Sequence, residues 1–405
     1  MRAAFPVAGT CTSQTTRHRR AHEALTRPAV MAGSAHLDRY LGLGGFVVLG
    51  AGVLRQMAVL RGFAWLIGGL LTRWTIAWLA AGIALGPLAL PARAGDTTPQ
   101  TQASKEQVRK LVATWEQYYA KADSLRDRRD AFEALMASTP EPTRVQIRQV
   151  DADGVDAQLI WPARLHHPLG RRAILYIHGG GFYSGSLRTH RALAGSLAKA
   201  ASADVLLIDY RLAPDYPYPA QVDDALTAYR WLLDSGYESN NIVLAGDSVG
   251  GNLAIEATLR QMRVRGPLPA AVVAMSPITD LAATGASLTT NANTDPLIDS
   301  AELDVMRKAY LGTRSPTDPM MSPLYADLTG FPPLLMQVGA GEALLDDTLR
   351  LADKARRAGV DVQTEIWAGM VHQWQLFPSW LDDARQSNQH VAEYAIKHFA
   401  DKPQQ

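Results

Sequence analysis

Ser248 lies in Gly246-Asp247-Ser248-Val249-Gly250-Gly251. An apolar run, Ile242-Val243-Leu244-Ala245, precedes it, and a helix-compatible run, Asn252 to Arg260, follows. Strand, Gly-x-Ser-x-Gly, helix predicts a sharp turn that lifts a serine hydroxyl above a sheet. Small residues are needed at Gly246 and Gly250, because side chains there would collide across the turn. The same turn leaves the Val249 N–H at a helix N-terminus, where an anion is stabilised. The chemistry this suits is serine attack on a carbonyl through a tetrahedral oxyanion. Such attack also needs a base, an acid to orient the base, and oxyanion donors.

The donors are expected from His178-Gly179-Gly180-Gly181-Phe182, directly after the apolar run Ala173 to Ile177. Glycines let backbone approach a substrate and aim N–H groups at it. Gly180, Gly181 and Val249 make a candidate three-donor hole. The candidate base is His372, in a loop after the last strand-like run. His390 and His398 fall on a terminal helical run, His166 and His167 in a loop before the core strands. His178 reads as a brace of the glycine loop, and His190 as a surface residue starting a helix. The acid should fall between Ser248 and His372, since the elbow's chain order is serine, acid, histidine. Glu342 lies nearest the end of the strand-like run Leu334 to Val338 and is favoured. Asp346, the alternative, and Asp347 are further candidates, at a helix start where a carboxylate is often a cap. Phe182, Tyr183, Trp374 and Phe377 flank these loops and are expected to line a substrate pocket or to pack in the core.

Elements must bring these residues to one rim. Short apolar runs alternate with helical ones: Ala173–Ile177, helix 190–201, Val205–Asp209, helix 220–234, Ile242–Ala245, then Ala271–Met275, Leu334–Val338 and Val362–Trp367, with helices at 346–358 and 383–400. This rhythm predicts an α/β fold, a mostly parallel sheet with helices on both faces. Ligands then sit beyond the carboxyl ends of the strands. Val145–Val150 and Ala157–Trp161, joined by Asp151-Ala152-Asp153-Gly154, predict a hairpin. Residues 105–137 carry apolar side chains at helical spacing and predict two helices. Residues 279–330 break the rhythm and read as an insertion.

Gly95 to Ser104 is polar and reads as a linker. Before it, Arg73, an apolar run from Trp74 to Leu90, and Pro91-Ala92-Arg93-Ala94 are the parts of a secretory signal peptide cleaved after Ala94. The competing reading is a membrane anchor, and with it any membrane association belongs to this segment alone. Met57 is a better-placed start for that signal than Met1. The net charge of +1 gives no reason to expect a nucleic-acid partner. With one cysteine, Cys11, no intramolecular disulfide forms. There is no Cys/His cluster at zinc spacing and no Walker-type loop, so neither metal nor cofactor is expected.

Together, His178 to Phe182, Asp209-Tyr210-Arg211-Leu212-Ala213-Pro214, the elbow, and the Glu342 and His372 loops resemble the hormone-sensitive-lipase-like family of α/β-hydrolase esterases. The resemblance covers about residues 105–400. It implies an α/β-hydrolase fold with a helical cap built from 105–137 and the insertion 279–330. It also implies hydrolysis of short- to medium-chain acyl esters. Bacterial acetyl-hydrolases and lactone hydrolases are the members that look most similar. Carried over, Ser248 is the nucleophile, His372 the base, and Gly180, Gly181 and Val249 the oxyanion donors. The family's acid is usually an aspartate followed by Pro-Leu, whereas this chain has Glu342-Ala343-Leu344. A lactone hydrolase with the same triad is the alternative, and a non-catalytic binding protein of this fold a further one.

Overall fold

The structure, a computed structural model, describes residues 96–98, 101–164 and 172–400. Cys11, Met57, the cleavage site after Ala94, His166 and His167 lie outside the described residues.

One nine-stranded sheet runs through the described chain. Its strands are β1 (Asp96–Thr98), β2 (Val145–Asp151), β3 (Asp156–Pro162), β4 (Ala173–Ile177), β5 (Asp204–Ile208), β6 (Ile242–Asp247), β7 (Ala271–Met275), β8 (Leu334–Gly339) and β9 (Val362–Trp367). They lie in the order β1-β9-β8-β7-β6-β4-β5-β3-β2. β4 to β9 and β1 are mutually parallel, while β3 runs antiparallel to both β2 and β5. The linker reading of 95–104 is therefore corrected. Asp96–Thr98 adds a parallel edge strand on Glu365–Trp367, and α1 (Gln102–Tyr119) starts soon after. A three-residue polar strand has no apolar alternation to announce it; its partner's free edge decides it.

β4 shows why the central runs are continuously apolar. Ala173, Leu175 and Ile177 pack into the core on one side of the sheet, Ile174 and Tyr176 into the core on the other. A strand covered on both faces has no polar phase to its alternation. The covering helices include α3 (Leu187–Ala201), α4 (Ala220–Asp234), α5 (Val249–Arg263), α8 (Leu345–Arg357) and α9 (Asp382–His398). Before the sheet core, α1 is followed by α2 (Leu125–Ala137). A capping box starts α2: the Ser124 side chain accepts from the Asp127 N–H, and the Asp127 carboxylate accepts from the Ser124 N–H. The stretch 279–330 holds a short α6 (Ser287–Thr290) and α7 (Ser300–Tyr310). No described helix is long and apolar enough to cross a membrane.

Candidate active site

Four loops converge at the carboxyl ends of β4, β6, β8 and β9. Ser248 sits between β6 and α5 with φ +53° and ψ −121°, a backbone conformation that is rare for a non-glycine residue. The turn closes because Gly250 has no side chain; a Cβ there would lie 2.0 Å from the Ile177 carbonyl oxygen. The strain is held by what surrounds it. Ser248 N–H donates to the Met275 carbonyl at 2.8 Å, and α5 begins at once.

The His372 ring lies in the loop after β9. Its Nε2 is 2.9 Å from Ser248 Oγ and its Nδ1 is 3.1 Å from Glu342 Oε2. Glu342 and His372 are both buried. Glu342 Oε1 accepts from the Gly339 N–H at 2.6 Å and from Ser276 Oγ at 2.9 Å, so both carboxylate oxygens are engaged. Burial by itself would lower the His372 pKa; the hydrogen bond and charge of Glu342 outweigh it and raise the imidazole above its usual value. Asp346 is elsewhere. Its carboxylate accepts from the Ser287 N–H at 3.0 Å, at the end of α6 that packs on this loop. Asp347, also buried, accepts from the Thr279 and Asp280 N–H groups, and burial pushes it up to about 7. Both aspartates thus hold the 279–330 stretch against α8.

Gly180 and Gly181 adopt φ +115° and +63° and line a cavity of about 320 Å³ with Ser248 and His372. At Gly180 a Cβ would lie 2.3 Å from the Ser184 carbonyl oxygen, so the loop is closed to any larger residue. Val249 opens α5, and the first N–H groups of a helix have no acceptor within it.

Three of the expected pocket residues do not reach this cavity. Phe182 is fully buried and stacks on Tyr310, ring centroids 3.6 Å apart. Trp374 and Phe377 are fully buried in the core on the α9 side, beside Trp367 and Trp380. Large apolar rings beside a strand end gain more from the core than from an open cleft. Tyr183 does face the cavity. The cavity is also lined by residues with no sequence signal beyond helical periodicity: Trp115 and Tyr119 of α1, Phe132 of α2 and Met306 of α7.

Asp247, unnoticed inside the elbow motif, joins three of the four loops. Its buried carboxylate accepts from Tyr176 Oη at 2.7 Å, the Gly179 N–H at 3.1 Å and Gln373 Nε2, and lies 3.3 Å from His190 Nε2. Burial opposes its ionisation, but the His190 charge and these hydrogen bonds prevail and lower it to about 2. His190 is thus fully buried, not at the surface; a carboxylate buried behind the elbow supplies the partner that draws it in. His178 also braces the glycine loop. Its Nδ1 is 2.8 Å from the Gly179 oxygen, its ring stacks on Tyr210, and burial lowers it to about 3. Among the described residues no group of three or more His, Cys, Asp or Glu is placed to hold a metal ion.

A serine held in a strained strand-to-helix turn, with histidine and carboxylate arriving from later strands of a parallel sheet, defines the hydrolase class of this architecture. Residues 174–376 match the family described as alpha/beta hydrolase fold, and the chain belongs to it. An acetyl-hydrolase of Streptomyces hygroscopicus is 45% identical over 217 residues, 53% of this chain and 72% of that protein. An esterase of Acinetobacter venetianus is 38% identical over 268 residues, 66% of this chain and 87% of that protein. The crystal structure of an esterase from the bacterial hormone-sensitive lipase family superposes with a TM-score of 0.70 at 38% identity, covering 75% of this chain and all of the other.

Proposed function

We propose that the protein is a serine carboxylesterase acting on short- to medium-chain acyl esters through an acyl-enzyme on Ser248. The observation that carries this reading is the unbroken chain Glu342–His372–Ser248 opening into the cavity that Gly180 and Gly181 line. His372 Nε2 takes the Ser248 proton as Oγ attacks the ester carbonyl. The N–H groups of Gly180, Gly181 and Val249 hold the oxyanion. His372 then protonates the leaving alcohol, and water repeats the sequence on the acyl-enzyme. Glu342 fixes the tautomer that leaves Nε2 free to accept, and stabilises the imidazolium that forms. A lactone would open by the same steps, with the leaving oxygen still tethered to the acyl group.

The test is hydrolysis of p-nitrophenyl acetate and butyrate, and of γ-butyrolactone, by the full chain beside Ser248→Ala. Ester turnover that disappears in the variant supports the reading. Turnover of the lactone alone replaces it with the lactonase. A folded protein that turns over none of them points first to a more specialised substrate and second to a non-catalytic binding protein of this fold.

We also propose export, with cleavage after Ala94. That cut would keep Asp96–Thr98, which pairs with the sheet edge. Sequencing the N-terminus of the protein recovered outside the cytoplasm tests it; a retained apolar segment in the membrane fraction supports the anchor instead.

A further inference from the structure

The cavity beside Ser248 carries an ion pair among aromatic and apolar side chains that include Trp115, Phe132 and Met306. Arg128 of α2, Glu302 of α7 and Tyr183 line the same cavity as Ser248. Arg128 pairs with Glu302 Oε2, and Tyr183 Oη donates to Glu302 Oε1 at 2.6 Å. The pair lines the cavity and is only partly buried: the Arg128 side chain is 26% exposed and that of Glu302 14%. It is also fixed in place. The neighbouring Arg129 donates to the carbonyls of Tyr183 and Ala213, tying α2 to the glycine loop. Asp299 caps α7 by accepting from the Glu302 N–H at 2.7 Å.

An alkyl chain entering this space would strip water from an ion pair and return no hydrogen bond, which is unfavourable. A guanidinium has five N–H donors, and one carboxylate engages at most two of them. Arg128 also hydrogen-bonds Tyr183, and its remaining N–H donors are available to an oxygen on the incoming group. The space itself is small, about 320 Å³ including the volume beside Ser248.

We propose that Arg128, Glu302 and Tyr183 form a specificity element that selects short acyl groups bearing a hydroxyl or keto oxygen over plain alkanoyl chains. This rests on the ester-hydrolase reading and names the substrate class of that same site. The three residues come from three separate segments, α2, α7 and the glycine loop, so the selection depends on those segments meeting over Ser248.

The experiment compares kcat/KM for the p-nitrophenyl esters of acetate, butyrate, 3-hydroxybutyrate and octanoate. The wild-type chain, Ser248→Ala and the double variant Arg128→Met/Glu302→Leu are each measured. Replacing both charges leaves neither one unpaired, which is the less disruptive change. The wild type is expected to favour 3-hydroxybutyrate over butyrate by about tenfold, the scale of one well-placed hydrogen bond. In the double variant that ratio falls to near one, and the octanoate-to-acetate ratio rises about tenfold. A wild-type hydroxybutyrate-to-butyrate ratio at or below one overturns the proposal without any variant. So does a ratio that the double variant, or Glu302→Gln where the double variant does not fold, leaves unchanged. Absence of Ser248-dependent turnover of every ester instead sinks the ester-hydrolase reading and the specificity element with it.

Discussion

The two walls of the cavity are built differently. The strand-end wall is buried, strained and densely hydrogen-bonded: Ser248 at positive φ, Asp247 holding Gly179, Tyr176 and Gln373, and Glu342 with both oxygens engaged. The helical wall is half-open, with Trp115, Tyr119 and the Arg128–Glu302 pair presented from helices. Where atoms must meet within a few tenths of an ångström, the chain uses backbone turns and buried carboxylates that have one arrangement. Where a variable group must be received, it uses longer side chains presented from helices. The difference suggests that changes in the first wall abolish turnover and changes in the second redirect it.

The comparison is sharpened most by Ser248→Ala, expected to lower kcat for ester hydrolysis by about four orders of magnitude or more. Glu342→Gln should cost about three to four orders, because the imidazole loses the partner that sets its tautomer. Asp346→Asn should stay within about threefold, since that carboxylate caps Ser287 and does not touch His372. An Asp346 variant as damaged as the Glu342 variant would reverse the assignment of the acid. Asp247→Ala should reduce kcat by about ten- to a hundredfold, as the glycine loop and the His372 loop lose their common anchor. It should also cost about 3 kcal/mol, since Tyr176, Gln373 and His190 are left without their partner. A thermal melt would then fall by about 6–12 °C. Because folding lowers the Asp247 pKa from 3.8 to about 2, its stabilisation is complete above about pH 4 and fades as pH falls toward 2.

The smallest expected effect is in the pH profile. Ser248 attack needs neutral His372, and folding raises that imidazole. The acid limb of kcat/KM should therefore lie above about pH 6.5, the ordinary imidazole value. In Glu342→Gln residual activity the limb should move to lower pH, since the carboxylate is what raises it. A limb that stays put would show that another group controls the titration.

Sequence and structure divide along the same line as the two walls. The elbow, the glycine loop and the order Ser248, Glu342, His372 were legible because each is a local backbone demand: a turn only glycine permits, or a polar residue just past an apolar strand. The parallel sheet followed from continuous apolar runs, for the same local reason. Local signals alone also misled. Phe182 and Tyr183 are adjacent, yet one stacks in the core on Tyr310 and the other faces the cavity. His190 reads as the exposed start of a helix and is buried against Asp247. Asp96–Thr98 reads as linker and completes a sheet edge.

What the sequence by itself determined is the machinery whose geometry a few neighbouring residues impose. What only the tertiary structure decided is which distant side chains meet: Asp247 with Gln373 and His190, Glu342 with Ser276, Arg128 with Glu302. Those pairings depend on helix packing and loop direction, which no short stretch of chain encodes.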